Sequence, residues 1–299
     1  MPRLSTYLGW KIDYAKPPGE PALLDPGSIH WRVYKNPIAL AVGGVAAVLL
    51  EFAEPRIRSG VWDHSTFKSD PLGRAMRTGT AALIGVYGPA SAARRVIQGV
   101  THMHARVSGE TPDGEAYRAL DPDLLNWVAA TAVYGFVTAY DRFVEPLTEA
   151  EKSQFYEEAA SVARLYGATD SPESEAAFMA MLQALSPRFE PHPIVCEFLE
   201  TIASGQAAPA FPKPLHRALA RAAVSLLPST VRERLALGCA YDLTGMDAAA
   251  LKTAGKLADR IPLRSAPPCQ ASVRLRLPYD FLYRSEAERR RLLETARQG

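Results

Sequence analysis

The hydrophobic positions recur with a helical period along almost the whole chain. The longest apolar run, IALAVGGVAAVLLEF, follows Pro37 and meets its first charges at Glu51 and Glu54. Crossing a bilayer takes roughly 20 apolar residues. A buried core helix over about 38–53, ending near Pro55, is therefore the better reading than a membrane span. The helical period resumes at Pro71 through RAMRTGTAALIGVYG, and Gly88–Pro89 separates it from a helix over about Ala90 to Val107. Asp121 and Pro122 have the cap and first-turn pattern of a helix reaching about Phe143. Thr148 and Glu151 have capping-box spacing, with Gly167 as the stop of that helix. Helical segments follow at 172–185, 194–204, 214–226, 229–240 and 246–259, and SEAERRRLLETARQG closes the chain. The stretches 59–74 and GETPDGEAYRALDP read as loops. Only ASVRLRL (271–277) alternates as a strand does. The pattern predicts an all-α protein, with a proline- and glycine-rich extended arm over 1–30 and one globular helical domain over 31–299.

Composition narrows the partners. The chain carries 34 basic and 32 acidic residues, a formal charge of +2. That balance makes no case for nucleic acid, or for an anionic membrane, as the main partner. Cys196, Cys239 and Cys269 are far apart, without the spacing of a disulfide framework, a zinc site or a haem-attachment motif. The N-terminus lacks the apolar core of a leader. A soluble protein in a reducing, cytoplasmic setting is expected. A homo-oligomer is left open.

Candidate chemistry centres on THMHARVSG at 101–109. Val96, Val100, Met103 and Val107 form an apolar stripe with Ile97 and His104 beside it, while Arg95, Gln98, His102 and Arg106 share another face. His102 is then expected in solvent and His104 toward the interior. A buried neutral imidazole is a common ligand for transition metals and haem iron, and a core histidine bonded to a carbonyl leaves the same signature. A second cluster is RAMRTGT, where Arg74, Arg77 and Thr78 can present guanidiniums and a hydroxyl to an anionic or oxygen-bearing group. Thr131 and Tyr134 are the polar side chains of the apolar helix LLNWVAATAVYGF. His64, His104 and Glu54 together have the ligand types of a facial triad for non-haem iron. Phosphate-cradling, HExxH and GxSxG patterns are absent.

At these residues the sequence resembles the MpaB and rubber-oxygenase (latex clearing protein) family over roughly residues 28–170. The resemblance rests on an ordered series: S-x-x-WRV at 28–33, AVGGVAAVLLEFAEP, GVWDHSTFKSDPLGR, RTGT, VYG at 86–88, MHARVSG at 103–109, and YRALDPDLLNWVAAT at 117–131. It implies a globin-like all-α core, haem b as cofactor, and oxygenase chemistry on a hydrophobic, isoprenoid or alkene-bearing small molecule with dioxygen or peroxide. It places the proximal iron ligand on His104, with Val107 matching. The distal R-x-x-[K/R]-T element falls on Arg74, Arg77 and Thr78, and the threonine of the WVxAT helix on Thr131. His64 is a further pocket candidate. This chain departs from many relatives in having Glu54 and Ala129 where they have histidine. Arg77 replaces a lysine and so removes a possible distal amine ligand, because a guanidinium stays protonated.

Overall fold

The apolar segments predicted as helices form a layered helical body around α2 (Pro37–Ala53) and α6 (Pro122–Phe143). The structure, a computed structural model, describes residues 6–7, 10–207, 209 and 211–298. Positions 1–5 and 8–9 of the expected arm lie outside the described residues. The remaining α-helices in chain order are α1 (Ile29–Tyr34), α3 (Pro55–His64), α4 (Pro71–Tyr87), α5 (Ala90–His104), α7 (Glu149–Tyr166), α8 (Glu175–Leu185), α9 (Pro193–Ser204), α10 (Lys213–Leu226), α11 (Ser229–Arg234), α12 (Gly245–Ala258), α13 (Pro267–Arg274) and α14 (Glu286–Gln298). Among the described residues the chain is all-α apart from two small antiparallel pairs, β1 (Thr6–Tyr7) with β2 (Trp10–Lys11) and β3 (Ser108–Glu110) with β4 (Ala116–Arg118).

The two central helices lie against each other along their length because each has glycine where they cross. A Cβ on Gly43 would stand 2.7 Å from the Gly135 carbonyl oxygen and 2.9 Å from the Cα of Phe136. Eight residues away from this crossing, Trp127 is fully buried and donates its indole N–H to the Leu50 carbonyl at 3.1 Å. The apolar run read as a core helix is therefore one. No single helix among the described residues is long and apolar enough to cross a membrane. The pair α2 and α3 has the length and composition together, but it bends by 110°.

Glu54 makes that bend. Its carboxylate caps α3 by accepting from the Arg56 N–H, pairs with the Arg56 side chain at 2.8 Å and Arg188 at 3.0 Å, and is itself 0% exposed. With Pro55 in the first turn, the chain restarts as a helix, so Ser59–His64 belong to α3 and not to the expected loop.

Two other stretches differ from their reading. The GETPDGEAYRALDP loop contains the β3–β4 hairpin, in which Gly109 lies opposite Tyr117 and leaves room for its ring. ASVRLRL is mostly α13, and its alternation is inverted. Val273 is 52% exposed whereas Arg274 is 1% exposed. Arg274 crosses to the N-terminal arm and donates to the Tyr14 carbonyl at 2.6 Å and the Glu20 carbonyl at 2.8 Å. Burial holds its pKa down to about 10. The arm is thus packed onto the body, with Ile12, Tyr14 and Leu24 in the core. The ends of α7 follow their caps: the Thr148–Glu151 capping box is formed and Gly167 stops the helix in the left-handed region. The segment expected at 229–240 ends early, where Ala236 adopts a positive φ.

Candidate active site around His104

Helices α4 and α5 pack together as a hairpin turned at Gly88–Pro89. Arg74 lies 14 residues before that turn and His104 lies 15 after Pro89. At 1.5 Å of rise per residue, the two strokes are nearly equal in length, so the hairpin brings these side chains level. Asp70 sets the start of α4 by accepting from the Gly73 N–H at 2.8 Å. The His104 carbonyl accepts from Val107 N–H at 3.0 Å, and Ala119 N–H bonds the Val107 carbonyl at 3.0 Å, tying the end of α5 to the β-hairpin.

His104 is half-buried. Burial first, then the Arg74 guanidinium, hold its imidazole below the usual histidine pKa. It is therefore neutral at physiological pH and has a free nitrogen lone pair for a metal. Its neighbour His102 is exposed, as expected, and so is Met103, which the apolar stripe had placed inside.

Arg74 also acts on a residue that the sequence did not single out. Glu51, in the last turn of α2, has its carboxyl pushed up to about 7 by burial, while Arg74 and a hydrogen bond with Thr131 pull it down. Thr131 is 0% exposed, and its hydroxyl donates to the Val128 carbonyl at 2.9 Å. Four residues from four helices, Glu51, Arg74, His104 and Thr131, are thus electrostatically joined. The surrounding faces are apolar and small. On α4, Ala81 and Gly85 continue the stripe from Arg74 and Thr78 at spacings of seven and eleven. A Cβ on Gly85 would touch nothing within 4 Å although the residue is buried, so free space adjoins it. On α2, α5 and α6 the side chains Val48, Val100 and Val128 stay partly accessible at the edge of the core.

The other expected residues go elsewhere. Arg77 turns from Arg74 and pairs with Asp70 at 3.4 Å and with the Thr66 hydroxyl. Thr78 is exposed on the same face as Arg74. His64 is exposed, with its ring 6.4 Å from that of Tyr117, and Tyr134 donates to the Leu226 carbonyl at 2.8 Å. Glu54 is held by two arginines. His64, His104 and Glu54 are not assembled into a triad, and no group of three potential ligands able to hold a metal ion occurs among the described residues. Ala129 packs beside the small cluster of Leu125, Ala163 and Ala168. His30 is buried but occupied, bonded to Glu158 at 2.9 Å and stacked 3.8 Å from Phe155. The cysteines are free.

Glu51 yields a test of this geometry. A carboxyl whose pKa is raised on folding stabilises the fold at pH values below its ordinary pKa of 4.5, and that contribution is lost as pH rises toward about 7. Glu51→Gln, which cannot ionise, is expected to match the wild type near pH 4 and to exceed it by about 3 kcal/mol at pH 8. Urea unfolding of the cofactor-free protein at both pH values measures this. Equal stability at pH 8 would show that the carboxyl is solvated.

The comparisons with known proteins give the family. The model of the family described as ER-bound oxygenase mpaB/B'/rubber oxygenase, catalytic domain, matches residues 31–260. An uncharacterised protein of Mycobacterium bovis and one of Mycobacterium tuberculosis are each 31% identical over 121 residues, covering 38% of this chain and 46% of the relative. The chain thus spans just under half the length of these relatives. No solved structure matches. With Glu51, Arg74, His104 and Thr131 inside a match that covers most of the molecule, the chain belongs to the mpaB and rubber-oxygenase catalytic-domain family.

Proposed function

We propose that the protein is a haem b-dependent oxygenase acting on a hydrophobic small molecule, isoprenoid or alkene-bearing in character, with His104 as the proximal iron ligand. The observation that carries this reading is the neutral, half-buried His104 level with Arg74 across the α4–α5 hairpin. The residues fit the group. One side offers an imidazole lone pair, the other a cation and a face of small residues with free space at Gly85. Haem, when bound, supplies the activation of dioxygen or peroxide.

The chain's own residues do the remaining work. His104 would hold the iron through its neutral nitrogen. Arg74 offers a fork of N–H donors suited to a propionate or to an oxygen that gains negative charge. Glu51, its carboxyl pushed up to about 7, can hold or release a proton near neutral pH, and Thr131 orients that carboxyl. Val48, Val100 and Val128 exclude water and favour an apolar substrate. A cytoplasmic setting belongs to the same proposal.

The test is spectroscopic. The full chain mixed with hemin should bind one equivalent and develop a Soret band. A chain that stays colourless after reconstitution overturns the haem reading and favours a relative that binds an apolar ligand without catalysis.

A further inference from the structure

One side of the molecule carries a patch that the active-site reading does not use. It begins on α12 and runs into the loop before α13. Leu257, Ile261 and Leu263 are 57%, 54% and 59% exposed within seven residues of chain. Isolated exposed leucines need no explanation, but large aliphatic side chains concentrated in one short stretch do. Leu257 and Ile261 are four residues apart, and the turn is closed by the Arg260 N–H on the Leu257 carbonyl at 3.1 Å. The buried side of α12 is separate, with Leu251 and Gly255 facing the core.

Charge in this region is one-sided, which the even balance of the whole chain conceals. From 248 to 278 the exposed charged residues are Lys252, Lys256, Arg260, Arg264 and Arg276, all cations. The sole carboxylate of that stretch, Asp259, is partly buried and turned inward. It pairs with Lys35 at 3.0 Å and accepts from the Asn36 amide at 3.1 Å. Lys252 and Lys256 lie one turn apart on α12, and Arg260 follows in the turn after it, between Leu257 and Ile261 in the chain. Exposed aliphatic side chains next to Lys252, Lys256 and Arg260, which make no ion pair among the described residues, match the two layers of an anionic lipid interface, acyl chains below phosphate headgroups. A second protein would need carboxylates of its own in register with this row, whereas a lipid headgroup layer supplies anions everywhere.

We propose that this face docks the protein onto the surface of an anionic lipid bilayer, lying on it without spanning it. Leu257, Ile261 and Leu263 enter the headgroup boundary, and Lys252, Lys256 and Arg260 meet the phosphates. The inference does not depend on haem, so its test and the Soret test fail independently.

The experiment is flotation of the full chain with phosphatidylcholine vesicles, with and without phosphatidylglycerol, at low and high salt. Cofractionation with the anionic vesicles is expected, and it should fall as salt rises. The triple variant Lys252→Gln, Lys256→Gln, Arg260→Gln should bind about a hundredfold more weakly. Leu257→Ser with Ile261→Ser should also lower partitioning while leaving the urea midpoint unchanged, since neither side chain is in the core. Absence of flotation with anionic vesicles overturns the proposal, as does binding that both variants retain. A concentration-dependent dimer that the leucine and isoleucine variant dissolves, without vesicle binding, also overturns it by making the patch an interface between copies.

Discussion

Gly135→Val is expected to lose the native fold or to retain it with a penalty of about 4 kcal/mol or more, a large part of the stability of an ordinary domain. The reason is the closeness of two backbones. A Cβ at Gly135 would collide with the Gly43 carbonyl oxygen and come within 3.2 Å of the Ala47 nitrogen. A flexible side chain could move aside, but these are main-chain atoms inside two long helices. Relief requires α2 and α6 to separate along their common length, opening gaps beside Trp127 and Leu50. Gly43→Ala should act at the same crossing from the other side, so combining it with Gly135→Ala should cost less than the sum of the two. Gly79→Ala is the control. Its Cβ meets nothing within 4 Å, and alanine is the better helix former, so a gain of up to about 1 kcal/mol is expected. Urea unfolding followed by circular dichroism separates these outcomes. A Gly135→Val protein as stable as wild type would mean that the crossing is looser than described.

His104→Ala is expected to reduce haem affinity by more than about a hundredfold, the upper range seen when mere supporting residues of a metal ligand are removed. His102→Ala, two positions away on the exposed face, should leave the Soret band as it is. The fold should survive, since His104 is half-buried at the last turn of α5 and carries none of the core packing. Adding imidazole to His104→Gly should restore the band, because the cavity left by the side chain admits a free ligand of the same chemistry. A His104→Ala protein with an unchanged Soret band would move the iron ligand elsewhere.

Much of the helical frame was legible because its ends are written in single residues. Pro71 opens α4, Thr148 caps α7 and Gly167 stops it where their chemistry requires. Asp121 precedes α6 as expected, yet its carboxylate accepts from the Arg118 N–H and not from the helix. The hairpin after α5 was read as loop because three-residue strands are too short to show a period. ASVRLRL misled because alternation reports burial only where the polar residues face water, and Arg274 instead satisfies carbonyls of the arm. At the site, the position of His104 followed from helical spacing. Glu51 did not, because a lone acid at the end of an apolar run reads as the boundary of that run. Its significance comes from α4 and α6, which bring Arg74 and Thr131 to it from distant parts of the chain. Arg77 was placed with Arg74 by sequence, but its guanidinium turns back along α4 to Asp70, seven residues earlier.

The Thr131 hydroxyl has a single hydrogen, and two acceptors compete for it. While Glu51 is protonated, the acid supplies its own hydrogen toward Thr131, and Thr131 continues to donate to the Val128 carbonyl. Once Glu51 ionises, its oxygens can only accept, and the hydroxyl must rotate away from the helix to meet them. Ionisation of a carboxyl on α2 is thus expected to release a side-chain tether on one turn of α6. The direction of the hydrogen bond made by the Thr131 hydroxyl is thereby expected to follow the charge on a residue in another helix.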